Sequence, residues 1–235
     1  MTHTEPVLFS SSVLNKWSVG RDLLSTYGWN RMLRVILPWL LVRRYNFYAE
    51  SLADIPPVPP PQIPVRLDPL TERDYPELMS LRPHHYSRSI LDRRLAEGHE
   101  CVLARSSGTL VHVRWLFKRS VYLPYLDRTL TLAADEIYSD DAYTPPEHRR
   151  QGIYEHANVL IRTRLRETGY VRIIYAYASW QALAEKKARR SGDHMVGGVS
   201  IIQWPRRDAH AWRGAVGESE PGRIRVIMGG TRSEQ

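Results

Sequence analysis

Between Asp135 and Gly169 the hydrophobic pattern of the chain changes period. Glu136 to Thr144 is rich in β-branched and aromatic residues, which predicts a strand, and Pro145-Pro146 cannot continue a ladder. From Ile153 the apolar residues Ile153, Ala157, Leu160, Ile161 and Leu165 recur at helical spacing, and Gly169 stands where a C-cap glycine belongs. A helix of about four turns is predicted. The intervening Glu147-His148-Arg149-Arg150-Gln151-Gly152 brings a glycine, two guanidiniums and free backbone N–H groups to a helix N-terminus. These are the ingredients of an anion site, although an ordinary βα turn with a capping glycine would share them.

The pattern elsewhere is read in the same way. From Trp17 to Ala49 apolar residues alternate with arginines, and Pro38 interrupts them, which predicts two short helices. Packed on the domain they are an appendage; at a surface they would be a membrane or partner contact through residues 17–49. Ile55 to Pro64 holds six prolines in ten residues and should be an extended connector of about 30 Å. A short strand at Val65-Arg66-Leu67 follows, then a helix capped by Thr71 and Asp74 and reaching Leu81, and a second helix from Ser87 to Glu97. Cys101 to Arg105 and Leu110 to Lys118 form a hairpin around Ser106-Ser107-Gly108. Tyr122 to Thr131 reads as an irregular aromatic insertion. Val171 to Ala178 is apolar on both faces and should be a central strand. Gln181 to Arg190 reads as a helix and Val199 to Trp204 as a strand, with a last strand at Ile224 to Met228 or a loose tail beyond.

Arg149-Arg150-Gln151-Gly152-Ile153-Tyr154, set between a strand and a helix, resembles the Gln/Arg-x-x-Gly-x-Gly/Ala signature of the GNAT (GCN5-related) acyltransferases. Tyr154 departs from the small residue usual there. The element order, strand-helix-helix-hairpin-strand-helix-strand-helix-strand, is also that of the family. The resemblance implies an α/β fold, a mixed central sheet flanked by helices, over residues 65–204. Around it lie an N-terminal helical extension (1–54), a proline-rich linker (55–64) and a C-terminal tail (205–235).

The resemblance further implies an acyl-CoA cosubstrate, acetyl-CoA above all, and an amine acceptor, with no metal. In the family the fourth and fifth strands splay apart and the pantetheine arm pairs with the freed backbone of the fourth. Here that backbone would be Tyr143 and Thr144, with Arg149, Arg150, Gln151, Gly152, Ile153 and Tyr154 around the pyrophosphate. Gln181, where the family often starts its last helix with asparagine, is assigned to the cofactor as well. A carboxylate on the fourth strand often serves as general base. Alternation puts Glu136, Tyr138 and Asp140 on one face and Asp135 and Asp141 on the other, unless a bulge shifts the phase. Glu136 is the first candidate and Asp140 the second, with Tyr138 beside them. A solvated carboxylate or an ion pair with a nearby arginine is the alternative for each. The tyrosine that acts as general acid in many members has no counterpart, Ala188 standing in its place.

Composition narrows the class only a little. The chain has 235 residues, 43% hydrophobic and 25% charged, with a net charge of +8 and one cysteine, Cys101. Such a balance favours an anionic partner, and nucleic acid is the weakest choice because it rests on charge alone. A lone cysteine among Val102, Leu103 and Ala104 predicts a buried strand residue. No leader pattern and no apolar run of membrane length is evident, so a cytoplasmic setting is expected. The leading expectation is a CoA-dependent N-acyltransferase. Alternatives are a membrane-peripheral acyltransferase for longer acyl chains or lipid-linked acceptors, and a GNAT-like fold kept as an inactive binding module.

Overall fold

A computed structural model describes residues 42–179, 193–203 and 208–226. The helices expected at 17–41 and 181–190 lie outside the described residues, as does Gln181. Twelve strands and three α-helices follow one another among those described. They are β1 (Val42–Ser51), β2 (Arg66–Pro69), α1 (Tyr75–Leu81), α2 (Arg88–Ala96), β3 (Glu100–Ser106), β4 (Thr109–Lys118), β5 (Ser120–Leu123) and β6 (Arg128–Thr131). After these come β7 (Glu136–Tyr143), α3 (Ile153–Glu167), β8 (Arg172–Ala178), β9 (His194–Gln203), β10 (Asp208–Gly214), β11 (Val216–Glu220) and β12 (Arg223–Val226).

The main sheet runs β10-β9-β1-β8-β7-β4-β3-β2. All its pairs are antiparallel except β7 with β8, which the α3 crossover makes parallel. One face carries α1 and α2, and its core includes Leu78, Leu91, Leu103, Trp115, Phe117 and Phe47. The other face carries α3, whose Ile153, Ala157, Ile161 and Leu165 meet Val111, Leu116, Ile137 and Ile173. The helical spacing of those four residues is what turns one stripe of α3 onto the sheet.

Local chemistry explains the helix starts. Thr71 and Asp74 form a capping box ahead of α1, and the Ser87 hydroxyl accepts the N–H of Ile90 at 3.3 Å to open α2. The hairpin β3–β4, the strand β7 and the helix α3 stand where the sequence predicts them.

Three regions differ from expectation. Residues 42–49 are not helical but belong to β1, paired with β8 on one side (Phe47 opposite Ala176) and with β9 on the other (Tyr45 opposite Val199). Phe47 and Tyr48 are wholly buried on opposite faces, each such side chain stabilising by about 1.5–3 kcal/mol. The stretch therefore is not a surface amphipathic helix. Second, Tyr122–Thr131 is not irregular throughout: β5 and β6 form a hairpin in a second sheet, ordered β11-β12-β6-β5. Third, the tail holds three strands, β12 standing where a last strand is expected and β10 and β11 going beyond it. Residues 208–214 extend the main sheet through β10, and β12 pairs parallel to β6, burying Val216, Ile224 and Val226.

The proline-rich segment 55–64 also has a defined course. It leaves β1 where the carbonyl of Asp54 accepts from Arg162 Nη2 at 3.2 Å, in the second half of α3. At its other end Ile63 packs on Ile153 and Ala157, and the N–H of Gln62 donates to the carbonyl of Gln151 at 2.9 Å. The segment thus runs along α3 back to the loop that begins it.

Candidate active site

The β7–β8 ladder is short. It joins Glu136 to Arg172, Ile137 to Ile173 and Tyr138 to Ile174, and stops. Both strands continue, β7 to Tyr143 still held by β4 and β8 to Ala178 still held by β1. From Ser139 to Tyr143 the edge of β7 that faces β8 is therefore without a strand partner among the described residues. Unpaired backbone inside a sheet is open to an extended ligand. The stretch begins four residues before the Tyr143 and Thr144 expected from the resemblance.

At the open end of this gap stands the loop. Pro146–His148 forms a single 3-10 turn, and Arg150 and Gly152 follow at φ of 63° and 75°. Gly152 supplies that conformation without strain and precedes α3 directly, and as the N-cap residue it has no side chain to bond the first turn. The amides at its N-terminus keep their attraction for an anion. Arg149 folds back, its Nε donating to the carbonyl of Thr144 at 3.0 Å, while Gln151 Nε2 bonds to the carbonyl of Glu147 at 3.0 Å. Both side chains brace the loop. Arg150 is exposed.

The two faces of the gap differ in chemistry. On the α1/α2 face lie Tyr138 and Asp140, with Glu136 below them, as alternation predicts. Glu136 is buried at the closed end, ion-paired with Arg172 at 2.9 Å and accepting the N–H of Ala133 at 2.9 Å. Tyr138 shares a hydrogen bond of 2.9 Å with Tyr125, whose ring is tilted against that of Tyr45 with centroids 4.4 Å apart. Asp140 lies beside the unpaired backbone. Solvent reaches it, yet the surrounding chain desolvates it, and burial together with the charge of Asp141 pushes its pKa up to about 6.

A bulge then changes the phase of β7. Trp115 is opposite Asp140 and Val113 is opposite Tyr143, so two residues, Asp141 and Ala142, face one of β4. Asp141, at φ 55°, turns to the same side as Asp140 rather than to the opposite side expected from strict alternation. Its carboxylate bridges Arg82, just past α1, and Arg94 of α2, the latter at 3.1 Å. The Arg82 guanidinium covers the Tyr143 ring at 4.8 Å.

On the α3 face the gap is lined by Ser139, Tyr177, Tyr154 and Arg114. Tyr154 does not point away from the sheet. Its ring stands edge-on to His112 at 5.7 Å, and its hydroxyl bonds with that of Tyr177, whose pKa is raised by burial first and by Tyr154 next. His112 Nδ1 in turn shares a bond of 2.8 Å with the Thr144 hydroxyl. Sequence reasoning missed Arg114, Tyr177 and Asn158. Only the helical offset from Tyr154 to Asn158 pointed to the last of them.

The structure thus brings together Tyr143, Thr144, the loop Arg149–Tyr154, Tyr138 and Asp140, and puts Glu136 at the far end of the ladder. No family model and no curated protein sequence matches the chain. Solved structures with a similar shape include a functionally unknown conserved protein from Staphylococcus epidermidis, at 11% identity and a TM-score of 0.48 over 72% of this chain. The chain spans 64% of that protein's length. A protein assigned to the GNAT acetyltransferases, from Novosphingobium aromaticivorans, has 14% identity and a TM-score of 0.47, covering 68% of this chain and 62% of its own. An aminoglycoside 6'-N-acetyltransferase from Acinetobacter haemolyticus has 17% identity and a TM-score of 0.43, covering 54% and 89%. The mixed sheet, the parting of β7 from β8 and the glycine loop at the head of α3 make the fold GNAT-like, as expected from the sequence.

Proposed function

We propose that the protein is a CoA-dependent N-acyltransferase. The observation that carries this reading is the parting of β7 from β8 after Tyr138, directly beside the N-terminus of α3, where the cap residue is Gly152. One ligand with a peptide-like arm and a diphosphate uses both features, the arm adding to the free edge of β7 and the diphosphate resting on the amides of Gly152 and Ile153.

The chemistry then divides between the two faces. The acceptor approaches from the α1/α2 side, where Asp140 is the base. With a pKa of about 6 it is a carboxylate at neutral pH, basic enough to take a proton, directly or through water, from the neutral amine as it attacks. Attack on the thioester carbonyl forms the C–N bond and expels the thiolate. Tyr177 and Tyr154 are the phenols on the α3 face of the gap and supply its proton in place of the tyrosine for which the sequence has Ala188. Positioning of donor and acceptor in the gap supplies much of the rate.

Melting the protein with and without acetyl-CoA tests the reading. A site filled to about 100 times its dissociation constant adds ~2.7 kcal/mol, and a chain of this size moves ~2–4 °C per kcal/mol. A clear upward shift is expected, weakened in Arg150→Glu, followed by thiol release on adding a panel of amines. Absence of any shift with acetyl-, butyryl- or longer acyl-CoA would remove the reading; a shift without thiol release from any amine would favour a binding module.

A further inference from the structure

Arg114 lies in the middle of β4 with 5% of its surface exposed and points toward α3. Its Nε donates to the Ser139 hydroxyl at 2.5 Å, and its Nη1 donates to the side-chain carbonyl of Asn158. The Tyr154 ring covers the guanidinium carbon at 6.0 Å. All three partners are neutral. The carboxylates nearby are otherwise engaged, Glu50 with Arg162 at 3.0 Å and Asp193 with the Tyr175 hydroxyl. Among the described residues Arg114 makes no ion pair, and its Nη2 donates no hydrogen bond.

The charge of Arg114 reaches Glu50 and Asp193 through space, but no carboxylate bonds to it, and a buried guanidinium without a bonded carboxylate is held at a cost in a protein that binds nothing there. The place of this cation is specific. Ser139 is the first residue beyond the last β7–β8 pair, so the guanidinium stands at the apex of the gap, on the face opposite Asp140.

An acyl group held in the gap, with its acceptor on the Asp140 side, would extend toward Arg114, Ser139, Asn158, Tyr154 and Tyr177. A methyl group there would meet polar atoms and leave Nη2 desolvated without an acceptor. A carboxylate would accept from Nη2 in a charge-assisted bond. The geometry points to an acyl donor whose acyl chain ends in a carboxylate, the monothioester of a dicarboxylic acid, selected by Arg114. This rests on the acyltransferase reading and names its donor class. The carboxylate is a bystander in the transfer: the C–N bond still forms as the C–S bond breaks.

The test is equilibrium binding of acetyl-CoA, butyryl-CoA and succinyl-CoA to the wild type, to Arg114→Met and to Arg114→Lys. Succinyl- and butyryl-CoA have acyl chains of equal carbon number and differ in charge. A preference of about tenfold or more for succinyl-CoA over butyryl-CoA is expected in the wild type, the range of one charge-assisted bond. The ratio falls toward one in Arg114→Met and is partly kept in Arg114→Lys. Equal binding of the two by the wild type overturns the inference, as does a ratio unchanged in Arg114→Met. Should Arg114→Met not fold, the wild-type ratio and the lysine variant decide. If acetyl-CoA binds and succinyl-CoA does not, the donor class falls while the acyltransferase reading stands; if no thioester binds, both fall.

Discussion

Gln62 donates its backbone N–H to the carbonyl of Gln151 at 2.9 Å, tying the proline-rich segment to the loop at the head of α3. A Cβ built on Gly152 would come within 3.4 Å of the Pro61 Cα. The segment and the loop therefore hold one another in place.

Replacing Gln62 with proline removes that donor and leaves the carbonyl of Gln151 without it. One hydrogen bond is worth about 1 kcal/mol, or ~2–4 °C of melting temperature in a chain of this size. The expected pattern is a small loss of stability with a larger loss of acetyl-CoA affinity, measured by calorimetry on the folded variant. Unchanged affinity would show that the loop keeps its shape unaided.

Gly152→Ala tests the loop from inside. The left-handed backbone costs a residue with a Cβ roughly 1–2 kcal/mol, and the added methyl makes only an ordinary contact with Pro61. A fall of a few degrees in melting temperature is expected, as the strain at φ 75° demands. A neutral substitution would mean that the loop relaxes freely.

Asp140 joins pH to both activity and stability. Its folded pKa, about 6, lies above the ordinary 3.8, so the folded state binds the proton more tightly than the unfolded chain. Its stabilising contribution is full below pH 3.8 and is lost as pH rises through about 6. Asp140→Asn should accordingly melt higher than the wild type at pH 8, by an amount tempered by the carboxylate's access to solvent, and alike at pH 3.5. Its kcat/KM should fall by about 10²–10⁴ if the carboxylate is the base. The wild-type rate should rise through an apparent pKa near 6, and Asp141→Asn should move that limb to lower pH by removing the neighbouring negative charge.

The pair of Glu50 and Arg162 is buried, with side-chain exposures of 6% and 8%. Burial raises the pKa of Glu50 against the pull of Arg162, a sign that desolvation is the larger effect. Glu50→Leu alone leaves Arg162 without its carboxylate and should lose about 3–5 kcal/mol. The double replacement Glu50→Leu with Arg162→Met should recover most of that in denaturant melts. Additive losses would mean that the two residues act separately.

Cys101 lies in the core on the α1/α2 side of the sheet with 1% exposure, and burial raises its thiol pKa. Its modification by a thiol reagent should follow global unfolding. Reaction in seconds under native conditions would contradict the packing around it.

The legible parts of this fold are local. The change of period at Pro145, the glycine at 152 and the stripe on α3 are written within about thirty residues, and they place the loop and its strand. The bulge at Asp141 is not legible, because nothing in Ser139-Asp140-Asp141-Ala142 distinguishes a two-for-one pairing from strict alternation. It is set by the register against Val113 and Trp115 and by two arginines from other elements. Strand β1 was hidden for a related reason. Tyr45, Phe47 and Ala49 face one side while Asn46, Tyr48 and Glu50 face the other, so one face is apolar and the other mixes a buried tyrosine with buried Asn46 and Glu50, which blurs the alternation. The Asn46 and Glu50 side chains find partners only in Arg213 and Arg162, far along the chain. The role of Glu136 followed its face correctly but not its height, since the point at which β8 departs is a property of two strands.

Strand β1 lies between β8 and β9, segments that begin at Arg172 and His194. During synthesis it must wait, with Phe47 and Tyr48 uncovered, until well over a hundred further residues have emerged. Closure across such a separation is slow and exposes strand edges to other chains. The proline segment at residues 55–64 looks like a place to cut, yet a chain started after it would lack an interior strand of its own sheet. The held space would be a slot between β8 and β9, and a synthetic peptide of residues 42–51 would be the natural thing to fill it.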